Sequence, residues 1–168
     1  MDASFDRINK LFLAYIQQVK KVYKLPISID NQLRSIVGSQ LDAVWIVDDD
    51  PNDQLFIKVA FKSIRPDIPV YTFNDGEALL TKIVQTQNFP KVVLLDLNMP
   101  RISGLDALEK LRSNKSFDSL RIVILTASST EPNDECQKAL AMGANQYYTK
   151  PSTYKDLVTL LRTITTSW

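Results

Sequence analysis

The stretch KVVLLDLNMPRISG, residues 91–104, runs four apolar side chains, Val92, Val93, Leu94 and Leu95, straight into a carboxylate, Asp96, and then into a turn marked by Pro100 and Gly104. An unbroken apolar run is what a strand covered on both faces needs, and a charge at its end belongs to the rim of a sheet. The same pattern recurs on either side. Strand-like runs fall at 43–47, 70–73, 92–96, 122–125 and 146–149. Between and after them lie segments of helical period at about 53–63, 76–85, 105–112, 132–142 and 154–165. Pro66, Pro69, Asn74-Asp75-Gly76, Pro100, Gly104, Gly143 and Pro151 punctuate the junctions. Five strands alternating with five helices predict an α/β domain whose parallel sheet is covered on both faces.

Sheets of this kind bind ligands beyond the carboxyl ends of their strands, where strand order reverses. Those ends carry Asp48-Asp49-Asp50, Asp96, Thr126 and Lys150-Pro151, after the first, third, fourth and fifth strands. If strands one and three are neighbours, Asp48, Asp49 and Asp96 converge, and three close carboxylates need a compensating cation. Oxygen-only ligands favour Mg²⁺ or Mn²⁺ over zinc or copper. With Lys150 as a point charge and Thr126 as a hydroxyl donor, the set holds what a transferring phosphoryl group needs. Asp96, ending the central strand, is the best-placed nucleophile. Each feature alone has an ordinary reading: a helix cap for the Asp pair, a structural strand end for Thr126, a solvated turn for Lys150. Their joint placement along one sheet edge is what singles them out.

Composition narrows the chemistry. The chain has 168 residues, 45% hydrophobic and 23% charged, enough for one domain of ordinary size and an appendage. It has no histidine, which removes Ser-His-Asp and Cys-His catalysis and any phosphohistidine of its own. Its one cysteine, Cys136, excludes an internal disulfide and reads as packing; the usual zinc sites are excluded as well. A net charge of +1 argues against a nucleic-acid partner. No apolar stretch approaches the ~18 residues of a membrane span, so a cytoplasmic protein without membrane insertion is expected.

The segments VWIVDDDPNDQ, VVLLDLNMPRISGLD, ILTAS and YYTKP, in that order and spacing, resemble the receiver domain of two-component response regulators over about residues 43–165. The resemblance implies a flavodoxin-like doubly wound sheet of order 2-1-3-4-5. It makes Asp96 the phosphoacceptor, with Asp48, Asp49, Asp96 and the backbone carbonyl of Asn98 around Mg²⁺ or Mn²⁺. Thr126 becomes the switch hydroxyl, Lys150 the phosphoryl contact, Tyr147 the aromatic whose rotamer reports activation, and Pro151 the residue after a cis peptide bond. Asp50 reads as a loop or helix-start residue rather than a ligand. Asn98 and Ser128 occupy positions that tune self-dephosphorylation in similar domains.

The implied partners are a sensor histidine kinase or a histidine phosphotransfer protein upstream and a protein target downstream, reached through the face of the fourth helix, fifth strand and fifth helix. The chain would be a phosphoacceptor and not an enzyme acting on outside substrates. A phosphohydrolase would need an acid/base carboxylate close after the nucleophile, where Leu97 and Asn98 stand. The alternative is a receiver-like scaffold that binds partners without being phosphorylated. With the sequence ending at Trp168 shortly after the last helix, no output domain is expected downstream.

Residues 1–40 depart from the alternation, so the expected division is a helical extension at 1–40 and a receiver domain at 41–168. Phe5, Ile8, Phe12, Tyr15, Val19 and Val22 recur at helical spacing, and a second short helix is predicted at about 30–37. This part carries six Lys and Arg against three Asp and Glu. A helix packed on the domain, a homodimerisation or partner-binding helix, and a disordered tail all fit it.

Overall fold

The computed structural model describes residues 43–86, 89–127 and 132–166. The predicted N-terminal helices and Ser128 lie outside them. Ten main elements alternate: β1 (Val44–Val47), α1 (Pro51–Ile64), β2 (Val70–Phe73), α2 (Gly76–Gln85), β3 (Val92–Leu95), α3 (Gly104–Arg112), β4 (Ile122–Thr126), α4 (Pro132–Ala141), β5 (Gln146–Thr149) and α5 (Tyr154–Thr165), with a short 3₁₀ turn at Lys115–Phe117. All strands are parallel, in the order β2-β1-β3-β4-β5, as predicted.

The period of two along each strand splits the core into two layers. Trp45, Val47, Val93, Leu95, Ile122 and Ile124 face one way, onto Leu79 and Ile83 of α2, Leu108 and Leu111 of α3, and Ala139 of α4. Val44, Ile46, Val92, Leu94, Val123 and Leu125 face the other, onto Ile57 and Phe61 of α1 and Leu157, Leu161 and Ile164 of α5. Each fully buried Leu, Ile or Phe contributes about 1.5–3 kcal/mol, so the three central strands hold the sheet. The outer strand β2 has exposed Tyr71 and Thr72.

Helix α1 begins two residues earlier than expected. Asp50 is its N-cap, accepting from the Asn52 N–H at 2.8 Å, and Pro51 takes the first helical position, where no backbone donor is needed. The junction after α4 requires Gly143, whose φ of +99° is open to glycine and strained for any other side chain. Arg112 ties the same corner, donating to the carbonyls of Gly143 (2.9 Å), Phe117 (2.9 Å) and Leu120 (2.8 Å).

One expectation is corrected: no cis peptide bond occurs among the described residues, and Lys150–Pro151 is trans. The trans form of an X–Pro bond is favoured by about 0.5–1 kcal/mol. Just before it, the Lys150 N–H continues the sheet, donating to the Thr126 carbonyl at 2.8 Å.

Candidate functional site

The site is the carboxyl edge of the three central strands and β5. Sheet hydrogen bonding continues one residue past β1 and β3: the Asp48 N–H donates to Phe73 O at 3.0 Å and the Asp96 N–H to Val47 O at 2.9 Å. The two aspartates are therefore fixed side by side as extensions of buried strands. Asp48 is 2% exposed and Asp96 5%, while Asp49 is exposed. One carboxylate oxygen from each of Asp48, Asp49 and Asp96 lies within 4.8 Å of the others.

Lys150, brought in from the end of β5, is the cation that partly compensates them. Its Nζ lies 2.8 Å from Asp48 Oδ2, 2.7 Å from Asp53 Oδ2 and 3.7 Å from Asp96 Oδ1. Burial pulls the ammonium pKa down, but the hydrogen bonds to Asp48 and Asp53 and the charge of Asp96 more than reverse this, leaving it raised. Asp48 is pushed up by burial, with Lys150 opposing. Asp96 Oδ2 accepts from the Asn98 N–H at 3.2 Å, but Asp96 Oδ1 is buried without a hydrogen-bond partner. A buried carboxylate oxygen that has only a distant ammonium and no hydrogen bond, among like charges, is costly, and a small divalent cation would remove the cost. The all-oxygen donor set fits Mg²⁺ or Mn²⁺.

Thr126 is fully buried at the end of β4, and Asn98 Nδ2 donates to its hydroxyl at 3.4 Å. Tyr147 and Tyr148 point to opposite faces of the sheet: Tyr147 packs on the layer with α2, α3 and α4, Tyr148 on the layer with α1 and α5. Burial, then the charge of Glu135, raises the Tyr147 phenol pKa. The edge thus brings together Asp48, Asp49, Asp96, Asn98, Thr126 and Lys150, with Tyr147 on the adjacent strand β5.

Three contributors escaped the reading of the sequence. Asp53, the second partner of Lys150, figured only as the expected start of a helical segment. Buried Gln54 uses its side-chain amide to bind Asp48 O at 2.6 Å and Asn74 Oδ1 at 2.9 Å, tying α1 to the ends of β1 and β2. Arg101, at φ 67°, ion-pairs with buried Asp75, which also caps α2 through the Ala78 N–H at 2.7 Å. An Asp directly before a predicted helix was a sign of the Asp75 cap alone; nothing in the spacing pointed to these partnerships.

The carboxyl edge of the doubly wound sheet thus carries an acidic cluster and a lysine. The chain belongs to the response regulator receiver domain family, which it matches over residues 44–162. Among curated proteins it is 26% identical over 130 residues to the response regulator Rcp1 of a Synechocystis strain, covering 74% of this chain and 87% of that one. Among solved structures it is similar to the Mn²⁺-bound form of Rcp1, with a TM-score of 0.65 and 25% identity over 76% of this chain and 94% of the other. Its fold also matches the phosphorylated cyanobacterial phytochrome response regulator RcpA, with a TM-score of 0.68 and 24% identity over 76% and 93% of the two chains.

Proposed function

We propose that this protein is a response regulator that accepts a phosphoryl group on Asp96 from a phosphohistidine of a partner kinase or phosphotransfer protein and signals through altered protein binding. One observation supports this above the others: buried Asp96 presents an Oδ1 without a hydrogen-bond partner to a cluster that also holds Asp48, Asp49 and Lys150. In the transfer the Asp96 oxygen forms a bond to phosphorus as the P–N bond of the donor breaks, and the donor histidine takes up a proton. The chain has no histidine with which to make such a donor itself. A bound Mg²⁺ or Mn²⁺ would shield the carboxylates from the incoming phosphoryl oxygens, held by Asp48, Asp49, Asp96 and the Asn98 carbonyl.

Lys150 contributes an ammonium to the new phosphoryl group, and Thr126 a hydroxyl donor from the adjoining strand end. Reorientation of Thr126 towards that group opens space for Tyr147 to turn inward. This changes the face of α4, β5 and α5, where a downstream protein would bind. Asn98 and Ser128 set how fast water removes the group. The chain acts as a phosphoacceptor, with no outside substrate. Among the described residues no helix is long and apolar enough to cross a membrane, and we place the protein in the cytoplasm, alongside its kinase.

The test is intact-protein mass after incubation with Mg²⁺ and acetyl phosphate. A single phosphoryl adduct, absent in Asp96→Asn and in chelator, is the expected result. A folded protein that gains no adduct and does not bind beryllofluoride would favour the unphosphorylated scaffold instead.

A further inference from the structure

We infer that Asp53 is a positioning residue that holds Lys150 away from Asp96, so that a phosphoryl group must win the ammonium from the first turn of α1. The inference rests on Asp96 being the phosphoacceptor and adds a competitor to that site.

An ammonium has three donors. Two of those on Lys150 are taken, by Asp48 Oδ2 at 2.8 Å and Asp53 Oδ2 at 2.7 Å, while Asp96 Oδ1 stands at 3.7 Å, beyond hydrogen-bonding distance. That same Asp96 oxygen is the buried one without a partner. The lysine thus satisfies a carboxylate that is 38% exposed, and could be hydrated by water, in preference to a 5% exposed one that cannot.

The usual duty of an acid in the first turn of a helix does not account for Asp53. In a capping box its side chain would reach back to the N–H of the cap residue. Here the Asp50 N–H is taken by Asp48 Oδ1 at 3.1 Å, and the Asp50 carboxylate serves the Asn52 N–H. The Asp53 carboxylate is directed instead across the sheet edge to a residue 97 positions away in sequence.

Two effects of opposite sign follow. By drawing Lys150 outward and adding a negative charge nearby, Asp53 leaves the three-carboxylate cluster less compensated, which favours a divalent cation there. By occupying Lys150 and repelling an anion, it disfavours a phosphoryl group on Asp96. A residue that merely supported the fold would weaken both.

The full chain carrying Asp53→Asn tests this by calorimetric titration with Mg²⁺ alone, and then with beryllofluoride at saturating Mg²⁺. The dissociation constant for Mg²⁺ should rise, and that for beryllofluoride fall, each by roughly threefold to tenfold, the scale of one partly exposed ion pair. Asp53→Ala should give the same two shifts and Asp53→Glu should restore wild-type values, which separates charge from shape. Unchanged constants, or both shifting in the same direction, would overturn the inference. A wild-type protein that binds Mg²⁺ but not beryllofluoride would instead remove the phosphoacceptor reading beneath it, and the Mg²⁺ titration would still show whether Asp53 draws Lys150 outward.

Discussion

Replacing Gly104 by alanine should damage the site through the backbone alone. Gly104 opens α3 directly beneath the loop that carries Asp96, and its N–H donates to Leu97 O at 2.9 Å. A methyl group built on Gly104 would overlap the Asp96 carbonyl oxygen and lie 2.7 Å from Leu97 Cα. Carbon atoms in ordinary contact sit about 3.5–4.0 Å apart, so the loop or the helix must retreat by about 1 Å, with no flexible side chain to absorb it. Overpacking of this kind costs about 1–3 kcal/mol, and the better helix propensity of alanine returns at most ~1 kcal/mol of that. Urea unfolding should therefore show a net loss of about 1–2 kcal/mol at an unchanged m-value. The displaced atoms belong to Asp96 and Leu97 and lead into Asn98, so calorimetry should also show Mg²⁺ affinity falling by about tenfold or more. By linkage, the stability gap between the two proteins should widen by about 1.4 kcal/mol per tenfold loss once Mg²⁺ saturates both. A Gly104→Ala protein with wild-type stability and wild-type Mg²⁺ affinity would refute the close approach on which this reasoning depends.

Asp96→Asn removes one of three converging charges, so without Mg²⁺ it should unfold at a higher temperature than the wild type, by about 1 kcal/mol of stability, and saturating Mg²⁺ should erase or reverse the difference. Arg101→Ala leaves buried Asp75 unpaired and keeps a side chain at φ 67°, and should cost about 1–3 kcal/mol in urea unfolding; Arg101→Gly, which lifts the backbone strain, should recover ~1 kcal/mol of that loss. Arg112→Met deprives three backbone carbonyls of their donor and should cost about 2–4 kcal/mol while leaving Mg²⁺ affinity unchanged, because the corner it braces is remote from the acidic edge.

Much of this architecture was legible because strands covered on both faces must be apolar throughout, so any carboxylate, hydroxyl or ammonium among them marks an end. That rule placed Asp48, Asp96, Thr126 and Lys150 at one rim before any topology was known. Strand pairing then needed only β1 beside β3. The start of α1 was less legible: Asp50 could be read as a loop or helix-start residue, but nothing showed that the helix follows it at once with Pro51 in first position. Partnerships made across the edge were not legible at all. Lys150 with Asp53 joins residues 97 apart, and Arg101 with Asp75 joins residues 26 apart, by side chains whose reach no local pattern encodes. The expected cis bond before Pro151 failed for a similar reason: the isomer depends on tertiary fit, not on the dipeptide.

The charge imbalance at the edge has a thermodynamic consequence of its own. Asp48 and Asp96 are nearly inaccessible to water, and Lys150 is shared between Asp48 and the outlying Asp53. The chain could have stabilised itself by neutralising one of these carboxylates, yet the β1–β3 pairing holds both at a depth where each lacks solvation. Burial pushes the Asp48 pKa up, which is the signature of a carboxylate held against its preference. A cation held by these carboxylates would relieve that penalty, so its binding would be linked to fold stability. On the proposed function, the two buried acids, Asp48 and Asp96, are also ones that would hold the cation, so cation binding would raise the stability of the fold.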